Sequence, residues 1–204
     1  MLIVGLTGSM GMGKSTVAAR MRDKGCATFD ADACVHELYR GQAASLVEAA
    51  FPGTTGPDGV DREKLTAALA ADPRAFMRLE DIIHPLVRTA ERAFLEQADA
   101  EGHAVAVLDI PLLLETGTDA LVDVIVVVST DPQTQLKRVM QRAGMTQSKL
   151  EKLLARQLPD AGKRARADFI VDTSGTFDET FAQVDKLLMG LQGRVGTAYQ
   201  RHWV

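Results

Sequence analysis

Apolar residues along this chain follow two rhythms in turn. Short runs rich in Val and Ile, apolar almost throughout, occupy Leu2–Thr7, Cys26–Phe29, Ala104–Leu112, Val122–Thr130 and Asp168–Asp172. Strands lose their in-and-out alternation when helices cover both faces of the sheet. Between these runs the spacing is helical. Ser15–Lys24 follows the first run, and Asp131 with Pro132 offers an N-cap and a first-turn proline to Gln133–Arg142. Thr146 caps a helix through Gln157, and Asp178–Leu191 is amphipathic. Strand and helix in alternation predict an α/β fold with a five-stranded, mainly parallel sheet in three layers.

From Ala33 to His103 the rhythm changes to helix alone. Ala33–Tyr39, Ala43–Ala50, Arg62–Ala71, Pro73–Ile83 and Pro85–Glu101 carry helical patterns, separated by the turn-rich FPGTTGPDG (Phe51 to Gly59) and by Asp72-Pro73. The pattern predicts a helical insertion at 33–103 within a core formed by 1–32 and 104–204.

The turn after the first strand holds Gly8, Gly11 and Gly13, although glycine costs about 1 kcal/mol inside regular structure. Gly8, Ser9, Met10, Gly11, Met12, Gly13, Lys14 and Ser15 together fit G-x-x-x-x-G-K-[ST], the phosphate-binding P-loop, and Thr16 follows. Backbone amides turned inward around phosphate oxygens need glycine's permissive angles, and the next helix presents its positive end to the anion. Lys14 suits the β- and γ-phosphates of ATP, and the Ser15 hydroxyl suits Mg²⁺. Asp109 ends the third strand, where a carboxylate can hold the metal or its water. Asp30 and Asp32 end the second strand and share one face if the backbone stays extended. All three aspartates are equally at home as helix caps.

Composition narrows the classes. The 204 residues are 46% hydrophobic and 25% charged, ordinary for a globular protein, and the longest apolar run is too short to span a bilayer. No basic segment precedes the first apolar run, so no signal peptide is expected, and Cys26 and Cys34 have neither disulfide nor metal spacing. The cytoplasm is the expected compartment. A net charge of −4 argues against a nucleic-acid partner. The charge is uneven, however. Residues 137–166 hold nine Lys or Arg against two acidic residues, so that stretch is +7 on a remainder of −11. Such a run is either a solvated helical face or a clamp for a polyanion. Arg138 and Arg142, four apart, share a helix face, and Gly144 supplies a hinge, which together suggest a lid over a nucleotide at about 138–166.

With the P-loop, FDAD, IIHP, DIPLLLE and ADFIVDTSG in view, the chain resembles the bacterial dephospho-CoA kinases from Leu2 to about Leu188. The resemblance implies transfer of the ATP γ-phosphoryl group to the ribose 3′-hydroxyl of dephospho-CoA, with ATP and Mg²⁺ required. It implies Asp32 as the base, Arg142 as the lid arginine, the insertion with His84 and Arg88 as the acceptor domain, and Asp172–Gly175 near the adenine. His36 stands where many members carry arginine, and faces either substrate phosphate or solvent. A nucleoside, nucleotide or shikimate kinase shares the loop and lid and is the alternative. A GTP switch needs N-K-x-D, which the sequence lacks. A monomer or weak homo-oligomer is expected.

Overall fold

A computed structural model describes residues 1–72, 74–155 and 157–204. The Pro73 half of the Asp72-Pro73 break and Arg156 of the cationic stretch lie outside the described residues. The chain runs β1 (Leu2–Thr7), α1 (Lys14–Asp23), β2 (Ala27–Asp30), α2 (Ala31–Arg40), α3 (Ala44–Ala50), β3 (Thr55–Gly56), β4 (Gly59–Val60), α4 (Arg62–Ala71) and α5 (Ala75–Ala100). It continues through β5 (Val105–Asp109), β6 (Val124–Ser129), α6 (Pro132–Met140), α7 (Gln147–Leu154), α8 (Asp160–Arg164), β7 (Phe169–Asp172) and α9 (Phe177–Leu191), and ends in a single wide turn, Tyr199–Trp203.

Two compact units result, Met1–Phe29 with Leu95–Val204, and Asp30–Phe94. The larger is built on a sheet ordered β2-β5-β1-β6-β7, in which β5, β1, β6 and β7 pair in parallel. Alternate residues of β1 (Leu2, Val4, Leu6) meet Val17 and Met21 of α1 and Val184 and Leu187 of α9 in one buried cluster. Burial of each such side chain is worth about 1.5–3 kcal/mol, which fixes the sheet's register and hence the height at which each strand ends. The tail is tied in as well. Asp123 accepts the N–H groups of Ile3, Thr197 and Ala198, and fully buried Trp203 donates its indole N–H to Leu121.

The smaller unit packs α2, α3, α4 and the first five turns of α5 around Val47, Phe51, Leu65, Leu69, Leu79 and Ile83. Two expectations are corrected here. FPGTTGPDG contains a strand pair after all, the antiparallel β3–β4 with Thr55 opposite Val60. Glu48 pins it by accepting from Gly53 N and Thr55 N and Oγ1, contacts that a two-residue strand does not announce by periodicity. Pro85 also fails to divide the helix. It lies inside α5, which runs unbroken from Ala75 to Ala100. Proline there forfeits a hydrogen bond and costs about 3 kcal/mol, but buried Leu79 and Ile83 before it and Leu95 and Ala98 after it outweigh the loss.

Candidate active site

The phosphate loop joins the end of β1 to the start of α1, and its shape follows from what grips it from outside. Gln135 Nε2 donates to Met10 O at 2.8 Å, Arg138 Nη1 to Gly11 O at 3.4 Å, and Thr173 Oγ1 to Met12 O at 2.7 Å. In a trans peptide the next N–H points opposite to the carbonyl. The carbonyls of Met10 and Met12, held outward, therefore turn the amides of Gly11 and Gly13 toward the concave side. The Met12 N–H is taken by Ser9 O at 3.2 Å, which closes the turn. Gly13, the N-cap of α1, has φ 86, and a Cβ on Gly8 would sit 2.6 Å from Val128 O. Side chains are excluded at both places, so the loop is specified by backbone.

The other loop residues divide by where their side chains go. Ser9 and Met12 are buried, and the Met12 sulfur accepts the Thr130 N–H at 3.2 Å, so these residues can meet a ligand only through backbone. Lys14 opens α1, with exposed Ser15 and half-buried Thr16 behind it. The Lys14 ammonium pairs with Asp109, whose carboxylate is almost wholly buried at the end of β5, opposite Leu6. Asp109 is thus an ion-pair partner rather than a helix cap. Among the described residues no three His, Cys, Asp or Glu side chains gather to hold a metal. Mg²⁺ needs no such cage, because it takes one or two protein oxygens and leaves the remaining positions to phosphate and water. The Ser15 hydroxyl and Asp109 carboxylate are hard oxygen donors of that kind.

Arg138 and Arg142 do not share a helix face. α6 ends at Met140, leaving Arg142 in the following turn, exposed and with no side-chain partner among the described residues. Arg138 is committed elsewhere. Beyond Gly11 O it donates to Thr173 Oγ1 at 2.9 Å and Thr173 O at 2.7 Å, so it braces the loop against the β7–α9 connection. The cationic stretch is likewise split. Lys163 is fully buried on Glu115, Arg164 donates to Ser129, and Arg166 pairs with Asp119, while Lys149 and Lys152 are exposed.

A polar pocket of about 500 Å³ opens past β6 and β7, lined by Ser129, Asp131, Asp160, Arg164, Asp172 and Ser174. Hydrogen bonds from the Thr134 hydroxyl and N–H, among others, hold the Asp131 carboxyl below its ordinary range. The Ser174 hydroxyl and N–H do the same for Asp172.

In the smaller unit the backbone does not stay extended through Asp32, so Asp30 and Asp32 do not project together. β2 stops at Asp30, whose side chain caps α2 by accepting the Ala33 N–H at 2.9 Å. Asp32 lies in the first turn of α2, exposed, and His36 follows one turn later on the same face. His84, exposed, and Arg88 stand in the same relation on α5. Arg88 Nη1 lies 3.1 Å from Glu91 Oε2. Glu91 is only 3% exposed, and burial pushes its carboxyl up to about 7 despite the guanidinium beside it. Burial, and after it the neighbouring Glu91, pushes the Cys34 thiol of α2 up. Thr173, Gln135, Glu115 and Lys163 were not singled out by sequence, although Thr173 lies in the quoted DTSG and Glu115 in PLLLE.

An outwardly tethered glycine loop, opening the first helix beside a central parallel strand, is the arrangement of a P-loop nucleotide-binding protein. The family model described as dephospho-CoA kinase matches residues 2–179. The chain is 54% identical to the dephospho-CoA kinase of Nitrobacter winogradskyi over 188 residues, 92% of this chain and 94% of that one. A crystal structure from Thermus thermophilus superimposes with TM-score 0.83 at 28% identity, covering 95% of this chain and 98% of the other. A dephospho-CoA kinase from Campylobacter jejuni shares the fold, with TM-score 0.69 at 24% identity and coverage of 93% and 96%. This chain belongs to the dephospho-CoA kinase family, and is a transferase of the kinase type.

Proposed function

We propose that the chain transfers the γ-phosphoryl group of ATP to the ribose 3′-hydroxyl of dephospho-CoA, the final step in making coenzyme A. The loop, with its carbonyls tied outward and Lys14 at its head beside Asp109, supports ATP as donor, and the family match over residues 2–179 supports the acceptor. The triphosphate lies on the loop amides, and Lys14 leaves Asp109 to neutralise the β- and γ-phosphates. Ser15 and Asp109 would hold Mg²⁺, which supplies charge neutralisation on the phosphate oxygens. The adenine is assigned to the Asp172–Gly175 segment, beside the polar pocket.

Asp32 accepts the proton of the 3′-hydroxyl as its oxygen bonds to the γ-phosphorus and the bond to the ADP oxygen breaks. His36, His84 and Arg88 are assigned to the acceptor, in the helical unit. Within the stretch at about 138–166 expected as the lid, the turn and helix at 141–155 are assigned as the moving flap, bringing Arg142 over the moving phosphoryl group and excluding water. Arg138 acts on the nucleotide through the loop it braces. Most of the acceleration comes from positioning and preorganised charge.

No helix among the described residues is long and apolar enough to cross a membrane, and Cys26 and Cys34 are free thiols. Free thiols suit a reducing compartment, and the proposal places the enzyme in the cytoplasm, working as a monomer or weak homo-oligomer without nucleic acid. Incubation with ATP, magnesium and a panel of acceptors tests the function. Dephospho-CoA is expected to gain one phosphoryl group at the 3′ position. A nucleoside or shikimate phosphorylated while dephospho-CoA is ignored would overturn it.

A further inference from the structure

Pro111 lies two residues past Asp109, and its carbonyl oxygen serves two donors. Thr7 Oγ1 reaches it at 2.9 Å from the end of β1, one residue before the phosphate loop begins. Lys163 Nζ reaches it at 3.2 Å from α8. The Lys163 side chain is completely buried, and its ammonium also pairs with Glu115 at 2.9 Å. Glu115 Oε1 accepts the Leu158 N–H at 2.8 Å as well. Three residues beyond Lys163, Arg166 donates to Leu114 O at 3.3 Å and pairs with Asp119 at 2.5 Å. The stretch 158–166 is therefore riveted to the segment after β5, whereas among the described residues no side-chain hydrogen bond or ion pair ties 141–155 to it.

A buried ion pair is a poor source of stability, because desolvating two charges cancels much of their attraction and apolar side chains would fill the space as well. What apolar side chains cannot supply is direction. The Lys163 ammonium holds one carbonyl at one place, and that carbonyl adjoins the two groups that matter most, the base of the phosphate loop and the Asp109 end of β5. At the other end of the lid, Arg138 fixes α6 to the loop. The flap is thus bounded on both sides by side chains anchored to the phosphate site.

Building on the lid assignment above, we propose that Lys163 is a positioning residue, which locks the lid's C-terminal pivot to Pro111 so that the flap closes in one register over the γ-phosphoryl group. With the pivot loose, closure is imprecise and water competes with the acceptor. A water oxygen then bonds to the γ-phosphorus, the bond to the ADP oxygen breaks, and the products are ADP, inorganic phosphate and a proton released to solvent. Transfer slows while the share of ATP lost to water grows.

The test measures phosphorylated product and inorganic phosphate together, at saturating ATP, magnesium and dephospho-CoA, in the full chain. Lys163→Met alone strands Glu115 without its cation, so the informative variants are K163M/E115L and K163M/E115Q, which remove the charge pair at similar volume. Each is expected to stay folded by circular dichroism, to transfer about tenfold more slowly or worse, and to lose a several-fold larger share of ATP to hydrolysis. Folded double variants with the parent's rate and partition would overturn the proposal. So would transfer and hydrolysis falling in the same ratio, the signature of a smaller active fraction. Arg142→Ala separates the two readings. If it too keeps the parent's rate and partition, the lid assignment fails; if it is impaired while the double variants are not, only the Lys163 role fails.

Discussion

Lys14 and Asp109 face each other across the head of the phosphate loop, one opening α1 and the other ending β5. The pair is largely shielded, and in the proposed mechanism a triphosphate displaces the carboxylate from the loop's cation. Asp109→Asn removes that rival anion and, at the same position, a hard oxygen charge for magnesium. The half-saturating magnesium concentration for turnover is expected to rise by about tenfold or more. Metal-free ATP binding is expected not to weaken. Initial rates over a magnesium series, with calorimetry of ATP alone, check both halves, and an unchanged magnesium requirement would remove Asp109 from the metal site.

Asp32 stands exposed in the first turn of α2, where an acid also complements the helix's positive end. Asp32→Asn keeps the shape and removes the basicity. Turnover is expected to fall by roughly 10²-fold or more while ATP affinity is retained. Steady-state rates beside ATP calorimetry decide it, and near-normal turnover would end the assignment of Asp32 as base.

Among the described residues Thr173 is the one side chain that both grips a loop carbonyl and is itself gripped by Arg138. Thr173→Val leaves the Met12 carbonyl without that donor, a loss of about 1–3 kcal/mol at a buried site. ATP affinity is expected to drop about tenfold with the KM for dephospho-CoA unmoved. Thr173→Ser is expected to behave as the parent. Equal weakening in both variants would show that the hydroxyl is not what shapes the loop.

Glu91 gives a pH dependence of definite sign. Its folded-state value of about 7 lies above the ordinary 4.5 because burial penalises the charge more than Arg88 rewards it. Between those values the folded state binds the extra proton, so this group's contribution falls as pH rises through the window and the penalty is complete above 7. Glu91→Gln is expected to exceed the parent in stability at pH 8 by on the order of 2 kcal/mol, and to match it near pH 5. Urea unfolding at the two pH values checks this, and a gap that does not change with pH would contradict it.

The sheet and the loop were legible in the sequence because their signals are local. Five apolar runs mark the five strands, and Gly8 and Gly13 answer to steric demands that no other residue meets. What escaped depended on partners distant in sequence. Pro85 reads as a break until the buried residues on both sides of it are seen to hold α5 together. Arg138 and Arg142 look equivalent at a spacing of four, yet the helix stops between them and Thr173, thirty-five residues on, claims the first. Lys163 looks like one more surface charge, and only Glu115 and Pro111 reveal it as buried. The tail's purpose was also unreadable, since Trp203 acquires meaning from Leu121 and the turn from Asp123.

Main-chain amides turned inward by outward-tied carbonyls are expected to grip the triphosphate. A crystal structure of the chain soaked with ATP measures it directly. The β- and γ-phosphates are expected on the amides between Gly8 and Ser15, with Lys14 drawn away from Asp109 toward them. A triphosphate lying elsewhere, with Lys14 still on Asp109, would contradict it.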